Sequence, residues 1–260
     1  MDLNNKVIII TGASAGIGKA TTEALAEAGA NVVLVARREE RLQAIMKELA
    51  TLPGKRLVVA GDIRQERFAY ELVERAVDAF GRLDILINNA GLGHRSMMAD
   101  MPPDDMRTII ETNVLGLLFV SQAALQHMRR QGSGQIVNVS SIAGQRPLPN
   151  SALYSASKTA VNFLSRSLRM EWRPYNIKVT TVYPGLTRTE FGQARLGQKG
   201  VNRFGLQGVP AERVARKIVW AIQYGRTEVY ITWYDWLFVH LNRLFPRLTD
   251  WIITRGSHLA

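Results

Sequence analysis

Short apolar runs alternate along this chain with longer stretches in which apolar side chains recur every three or four residues. Lys6 to Thr11 is a run rich in β-branched residues, and Gly12 to Gly18 then opens an alanine-rich stretch, Lys19 to Ala28, that ends at Gly29. This reads as strand, glycine turn, helix. The pattern repeats, with strands predicted over Asn31 to Ala36, Arg56 to Ala60 and Leu83 to Asn88, and helices over Glu39 to Ala50 and Glu66 to Phe80. A long helix from about Pro103 to Arg130, a strand Gln135 to Ser140, a helix Ser151 to Glu171 and a strand Ile177 to Tyr183 follow. Strands without polar alternation suit a sheet covered on both faces. Their alternation with helices predicts parallel pairing through right-handed crossovers, hence an α/β fold with a doubly wound parallel sheet. Leu186 to Gly208 has no clear period, and a loop of that length predicts a functional lid or a mobile segment. Helix Ala211 to Tyr224 and a short strand Glu228 to Ile231 close the sheet, so residues 1–231 are expected to form one domain.

Beyond it, apolar side chains fall at Trp233, Trp236, Leu237, Leu241, Leu244, Phe245, Leu248, Trp251 and Ile252, a helical period interrupted by Pro246. Two short amphipathic helices with a kink at Phe245-Pro246 are predicted, forming an extension over 232–260. Two partners suit such a stripe. One is the protein's own body or a twin subunit; the other is a membrane surface met through 233–252, since aromatic rings beside arginine fit the headgroup boundary.

Length and composition narrow the classes. The 260 residues, 47% apolar and 21% charged, can bury one sizeable core and exclude wholesale disorder. With no cysteine there is no disulfide framework, thiol nucleophile or Cys-ligated metal, which fits a reducing, cytoplasmic setting. The first residues carry an acid at Asp2 and only four consecutive apolar residues, Val7 to Ile10, unlike a secretory signal. No run of eighteen apolar residues occurs, so no membrane-spanning helix is expected. The formal charge is +11, and residues 195–260 hold ten basic and four acidic residues. That field favours anionic partners, but without zinc-finger spacing, an RNP motif or a dense Lys/Arg run, nucleic acid is not expected. His127, His240 and His258 lack companions at metal-ligand spacing, so no metal is assigned.

Between the first strand and the first helix lies Thr11-Gly12-Ala13-Ser14-Ala15-Gly16-Ile17-Gly18. Glycines there let backbone approach a pyrophosphate, while the helix N-terminus offers free N–H groups; a tight turn without a ligand reads the same way. After the second strand, where a carboxylate would receive an adenosine ribose 2′-hydroxyl, stand Ala36, Arg37 and Arg38. Two guanidinium groups suit a 2′-phosphate and favour NADP(H) over NAD(H), although Glu39 and Glu40 nearby offer the arginines another pairing. Asp62, past the third strand, either accepts from an adenine amino group or caps the next helix.

Ser141, Tyr154 and Lys158 carry the candidate chemistry. Tyr154 and Lys158 share a face of a predicted helix. At ~4 Å and an effective dielectric of about 20, an ammonium favours phenolate by about 4 kcal/mol, or roughly three pKa units, which brings a phenol near neutral pH. Ser141, at a strand end, is placed to donate to a substrate oxygen. Seven tyrosines and eight lysines would give one Tyr-x-x-x-Lys about 0.2 times by chance, so the spacing alone decides little. On the residues alone, Asn113 reads as a helix polar group bonding backbone, and His94 and Arg95 either face substrate or sit on an exposed loop.

Taken in order, Thr11 to Gly18, Asn88-Asn89-Ala90-Gly91, Asn113, Ser141, Tyr154, Lys158 and Pro184-Gly185 resemble the signature of the short-chain dehydrogenases/reductases, over about residues 5–231. The resemblance implies a Rossmann-type sheet and a nicotinamide cofactor held by Gly12, Ser14, Gly16, Ile17 and Gly18. It implies Tyr154 as proton donor or acceptor, Lys158 tuning it and holding the nicotinamide ribose, Ser141 orienting the carbonyl and Asn113 holding a proton-relay water. Asn89, Ala90 and Gly91 would line the cofactor near its adenosine half and support the central strand. Pro184, Gly185, Thr187 and Thr189 would follow the nicotinamide, with Thr189 on the carboxamide. Two departures stand out: Ala15 where many NADP-preferring relatives carry a basic residue, and the C-terminal extension. The expectation is an NADP(H)-dependent oxidoreductase interconverting carbonyl and alcohol on a lipophilic small molecule, working as a homodimer or homotetramer. The alternatives are a 3-oxoacyl-carrier-protein-type reductase, for which Arg129, Arg130, Arg169 and Arg173 would meet an acidic carrier, and a catalytically silent NADP(H)-binding scaffold or sensor.

Overall fold

A computed structural model describes residues 1–198 and 207–256. Seven parallel strands form one sheet: β1 (Val7–Thr11), β2 (Asn31–Ala36), β3 (Arg56–Ala60), β4 (Ile85–Asn88), β5 (Gly134–Val139), β6 (Ile177–Tyr183) and β7 (Glu228–Tyr230). Their spatial order is β7-β6-β5-β4-β1-β2-β3. Ile8 pairs with Val32 on one side and Ile85 on the other. Sequence order therefore reverses between β1 and β4, which opens a crevice beyond the strands' carboxyl ends, the place where such sheets bind ligands.

Successive side chains of one strand supply opposite cores, which is why the strands read as unbroken apolar runs. Ile8 and Ile10 join Leu25, Leu34 and Ile218 on one face. Ile9 joins Val33, Leu72, Leu86 and Val120 on the other. Burying each such side chain contributes about 1.5–3 kcal/mol before chain entropy is charged against it. Helices α1 (Gly16–Glu27) and α2 (Glu39–Glu48) follow β1 and β2, and α3 (Glu66–Phe80) follows β3.

The long helix expected over 103–130 is two helices, α4 (Pro103–Ile110) and α5 (Gly116–Gln131), joined by a π-turn over Glu111–Leu115. At this join Gly116 packs so tightly that a Cβ would lie 2.9 Å from Ile63. By length and composition 103–131 would suffice to cross a membrane, and half of its most apolar window is buried inside this fold. Helix α6 (Ala152–Glu171) precedes β6 and α7 (Ala211–Tyr224) precedes β7.

Residues Thr187–Arg188 and Val209–Pro210 pair in parallel, and Phe191–Ala194 forms one helical turn. The irregular segment expected over 186–208 thus has local structure in its described part, while residues 199–206 lie outside the described residues. The extension forms α8 (Trp233–Leu244) and α9 (Pro246–Gly256). Thr232 caps α8, its Oγ1 accepting from the Asp235 amide at 3.1 Å, and Pro246 restarts the chain as α9. Val239 and Ile253 face the body. The expected apolar stripe does not: Trp233, Leu237, Leu241, Leu244, Trp251 and Ile252 all remain exposed. His258 lies outside the described residues.

Candidate active site

The glycine turn leaves β1 and enters α1 with positive φ at Gly12 (+69°) and Gly16 (+54°), a region open to glycine at little cost. Ser14 and Ile17 lie within it. A Cβ on Gly12 would stand 2.8 Å from the Ala90 Cα, and one on Gly18 would strike the Gly12 carbonyl. The turn is fixed from β4: Asn89 Nδ2 donates to the Thr11 and Gly12 carbonyls at 2.9 and 3.2 Å. The Asn89 and Ala90 amides donate to Thr11 Oγ1, both at 3.1 Å. Helix α1 has no side-chain cap at Ala15 and no carboxylate in its first turn, so its positive end faces the crevice uncompensated.

Around this anion-accepting end stand three arginines rather than two. Arg38 Nη2 donates to Ser14 Oγ at 3.0 Å. Arg41, which the sequence reading missed, reaches Glu190 at 2.7 Å, and Arg38 lies 4.0 Å from the same carboxylate oxygen. Arg41 sits three and four residues after Arg38 and Arg37, one turn along α2, so its spacing was the available signal. These arginines draw the Glu190 carboxyl below its usual range, Arg41 first by hydrogen bond. Asp62 is held by Arg64, which donates at 2.9 and 2.6 Å from its guanidinium and at 3.0 Å from its amide. Burial opposes ionisation of Asp62, yet those bonds with Arg64 and the nearby Arg37 charge leave its carboxyl below the usual range. Its side chain closes the turn before α3 rather than capping that helix, which starts after Gln65.

At the other end Gly91, Asn113 and Lys158 converge: a Cβ on Gly91 would lie 3.3 Å from Lys158 Nζ and 3.4 Å from Asn113 Oδ1. Asn113, within the π-turn, donates to the Leu92 carbonyl at 2.9 Å and to Ser157 Oγ at 3.0 Å, while accepting from the Leu92 amide at 2.7 Å. Its side chain thus bonds backbone and pins the loop after β4. Lys158 is buried and donates to the Val139 carbonyl at 2.9 Å. Burial lowers its ammonium to about 8. Tyr154 is partly buried, and desolvation lifts its phenol above the usual range against an opposing hydrogen bond with Ser141. This direction is opposite to the acidification expected from the lysine one turn away. The Lys158 ammonium makes its bond to Val139, and desolvation of the phenol outweighs what remains.

Ser141 follows β5 and opens a 3₁₀ turn, Ile142–Gly144, whose Ala143 amide donates to Ser141 Oγ at 3.1 Å. Sequence reading also missed the residues that hold this turn against α6. Ser140 Oγ donates to Asn162 Oδ1 at 2.5 Å, Asn162 Nδ2 donates to the Gly144 carbonyl at 2.9 Å, and Thr159 Oγ1 reaches the same carbonyl at 3.0 Å. The side-chain hydrogen bonds of Ser140, Thr159 and Asn162 leave no periodic sign in the sequence. The Pro184 carbonyl accepts from the Ile142 amide at 3.0 Å, and Gly185 abuts Asp235 of α8.

Over the crevice lies the segment after β6. Thr187 Oγ1 donates to the Gly185 carbonyl at 3.1 Å. Thr189 faces Gly16, where a Cβ would come within 3.0 Å of it, and its Oγ1 accepts from the Phe191 amide at 3.2 Å. The Phe191 ring stands 5.9 Å from that of Tyr154. Leu196–Gly197 pairs with His94–Arg95. His94 is therefore buried, not on an exposed loop, and its Nε2 lies 3.1 Å from Asp105 Oδ2. Glycine turn, uncompensated helix end and arginines fit an anionic dinucleotide at one end of the crevice, and a hydroxyl, a phenol and an amine line the other.

Residues 6–199 match the family model described as short chain dehydrogenase. A Staphylococcus epidermidis protein named an uncharacterized oxidoreductase is 34% identical over 221 residues, which are 85% of this chain and 92% of that protein. A short chain dehydrogenase/reductase from Burkholderia phymatum, solved in complex with NAD, superimposes with a TM-score of 0.86 at 25% identity, covering 95% of this chain and 96% of that one. An alcohol dehydrogenase from the archaeon Thermococcus sibiricus, complexed with 5-hydroxy-NADP, gives 0.78 at 27% identity over 87% and 96% of the two chains.

Proposed function

The chain belongs to the short-chain dehydrogenase/reductase family, and from that premise we propose that it is an NADP(H)-dependent oxidoreductase that interconverts a carbonyl and an alcohol on a lipophilic small molecule. The observation that carries the reading is the meeting of Ser141, Tyr154, Lys158 and Asn113 beyond the strand ends, on the same side of the sheet as the glycine turn and the uncapped start of α1.

When bound, the nicotinamide cofactor supplies the hydride. Gly12, Gly16 and Gly18 would admit its pyrophosphate beside Ser14 and Ile17, and Asn89, Ala90 and Gly91 would bound it from β4. Pro184, Gly185, Thr187 and Thr189 would close over it. Arg37, Arg38 and Arg41 would meet a 2′-phosphate through charge-assisted bonds, with Asp62 held beside them by Arg64. In reduction, Ser141 Oγ holds the substrate oxygen and Tyr154 gives up its phenolic proton to it. A phenol kept neutral by burial is the correct starting form for that step. Lys158, mostly protonated at pH 7 with its ammonium near 8, supports the phenolate as it forms. Asn113 fixes the Leu92 loop that borders both. Phe191, against the Tyr154 ring, presents an aromatic wall that suits an apolar substrate. The same reading pairs subunits through α5 and α6, where Phe163 and Met170 are 67% and 72% exposed.

Tyr154→Phe tests the chemistry. NADPH oxidation across a panel of aliphatic, steroidal and retinoid carbonyls should fall by at least about 10²-fold, with NADPH binding unchanged; undiminished turnover would overturn the mechanism. Arg37→Asp tests the cofactor, and an unchanged Kd ratio for NADPH and NADH would overturn the preference.

A further inference from the structure

Four of the chain's five tryptophans, Trp220, Trp233, Trp236 and Trp251, lie on α7, α8 and α9 rather than around the crevice. Trp233, Trp236 and Trp251 are 73%, 48% and 52% exposed, and Leu244 and Leu248 are exposed beside them. An exposed apolar area of this kind marks an interaction site.

Its charge surroundings are one-sided. On α7, Arg213, Arg216, Lys217 and Trp220 line a shallow open concavity of about 430 Å³. Among the described residues none of those three cations has a carboxylate within ion-pair distance. The Lys217 ammonium and the Arg226 guanidinium lie 4.8 and 5.0 Å from the Trp220 ring centre. Burial raises the Asp235 carboxyl above its usual range and the nearby Arg213 charge opposes that rise, so the cationic face of α7 borders the first turn of α8. Arg255 covers the Trp251 ring at 4.2 Å, and Arg243 and Arg247 add further charge. Glu212, exposed in the first turn of α7, is one acid on this face; the other three are held elsewhere. Asp235 is buried on Thr232, Asp250 is paired with Arg146 at 3.0 Å, and Glu228 lies 3.8 Å from Arg169.

Exposed indole rings interleaved with unpaired cations match the boundary of an anionic bilayer, where rings enter the headgroup layer and cations meet lipid phosphate. A protein partner of ordinary composition would have to bring its own acids to so basic a face. We infer that α7, α8 and α9 form a docking surface for membranes rich in anionic phospholipid. The helices stay amphipathic in the plane of the interface, and nothing crosses the bilayer. The inference stands apart from the reaction assigned above, since it uses none of the residues placed on cofactor or substrate there.

Flotation of the full-length protein with phosphatidylcholine vesicles, with and without 30% phosphatidylglycerol, tests it. Binding to the anionic vesicles alone, weakening as salt is raised, is the expected result. Phosphatidylcholine brominated on its acyl chains, mixed with phosphatidylglycerol, should quench the tryptophan fluorescence of the unaltered protein. The triple variant Arg213→Gln, Arg216→Gln, Lys217→Gln should lose at least tenfold in vesicle affinity, and Trp233→Ser with Leu244→Ser should lose the quenching, while circular dichroism and NADPH binding stay unchanged. Failure to float with anionic vesicles at low salt overturns the inference, as does equal binding to neutral ones. A drop in solution mass for the Trp233/Leu244 variant would also overturn it, by showing that a second copy covers this face.

Discussion

Burial brings the Lys158 ammonium to about 8, whereas an unfolded chain keeps it near 10.5. Between those values the unfolded state holds the extra proton, so stability rises with pH through that window, and below pH 8 the buried charge is a full cost to folding. That cost is on the order of 3 kcal/mol, which the bond to Val139 only partly offsets. Lys158→Met should therefore be the more stable protein at pH 7 while losing turnover, and the gap should close toward pH 10.5. Urea titrations at the two ends of that window check this, and a gap that does not change with pH would refute the sign. Glu190 makes a second residue-level case, because its carboxylate occupies the arginines that a 2′-phosphate would need. Glu190→Gln should tighten NADPH several-fold and leave NADH nearly unmoved, read as two Kd values.

Among the elements, the turn carrying Ser141 depends on α6 rather than on its own sequence. Asn162→Ala removes the amide that donates to the Gly144 carbonyl and the oxygen that accepts from Ser140. It should lower stability by about 1–3 kcal/mol and cut kcat more than KM, since Ser141 loses its support while the crevice remains. The glycine turn is stricter: Gly18→Ala drives a Cβ into the Gly12 carbonyl and should abolish dinucleotide binding, measured by fluorescence titration. Such elements show what a sequence carries. Strands Asn31–Ala36, Arg56–Ala60 and Ile177–Tyr183 were legible to the residue because short runs that hold several β-branched residues between turn signals have few other uses. The two terminal helices were legible from period and Pro246. The π-turn at Asn113 was not, because its bulge is set by Ile63 packing on Gly116 and by the loop at Leu92, neither of which leaves a periodic trace. For the same reason Tyr154 and Lys158 were found by spacing, but the direction of the phenol's shift was not: desolvation is a property of the fold around a side chain, not of its neighbours in sequence.

At the scale of the molecule, twenty large apolar side chains stand exposed among the described residues, and half of them lie between Trp233 and Ile252. The rest include Phe163 and Met170 on α6, which the subunit reading uses. Phe163→Arg with Met170→Glu should take the particle from a multiple of the 29.0 kDa chain to that mass itself, by light scattering, without moving the terminal helices. The extension also ties back to the reacting end, since Arg243 donates to Gln145 at 2.7 Å and Arg146, buried, holds Asp250.

The strand order has a consequence for synthesis. Ile8 finds Val32 soon after both leave the ribosome, but its other edge waits for Ile85. Those 77 residues take roughly 4–15 s to translate at about 5–20 residues per second. For that interval a wholly apolar edge has no neighbour, so the nascent half-sheet is a natural client for a holding chaperone, and rare codons before residue 85 would lengthen its exposure.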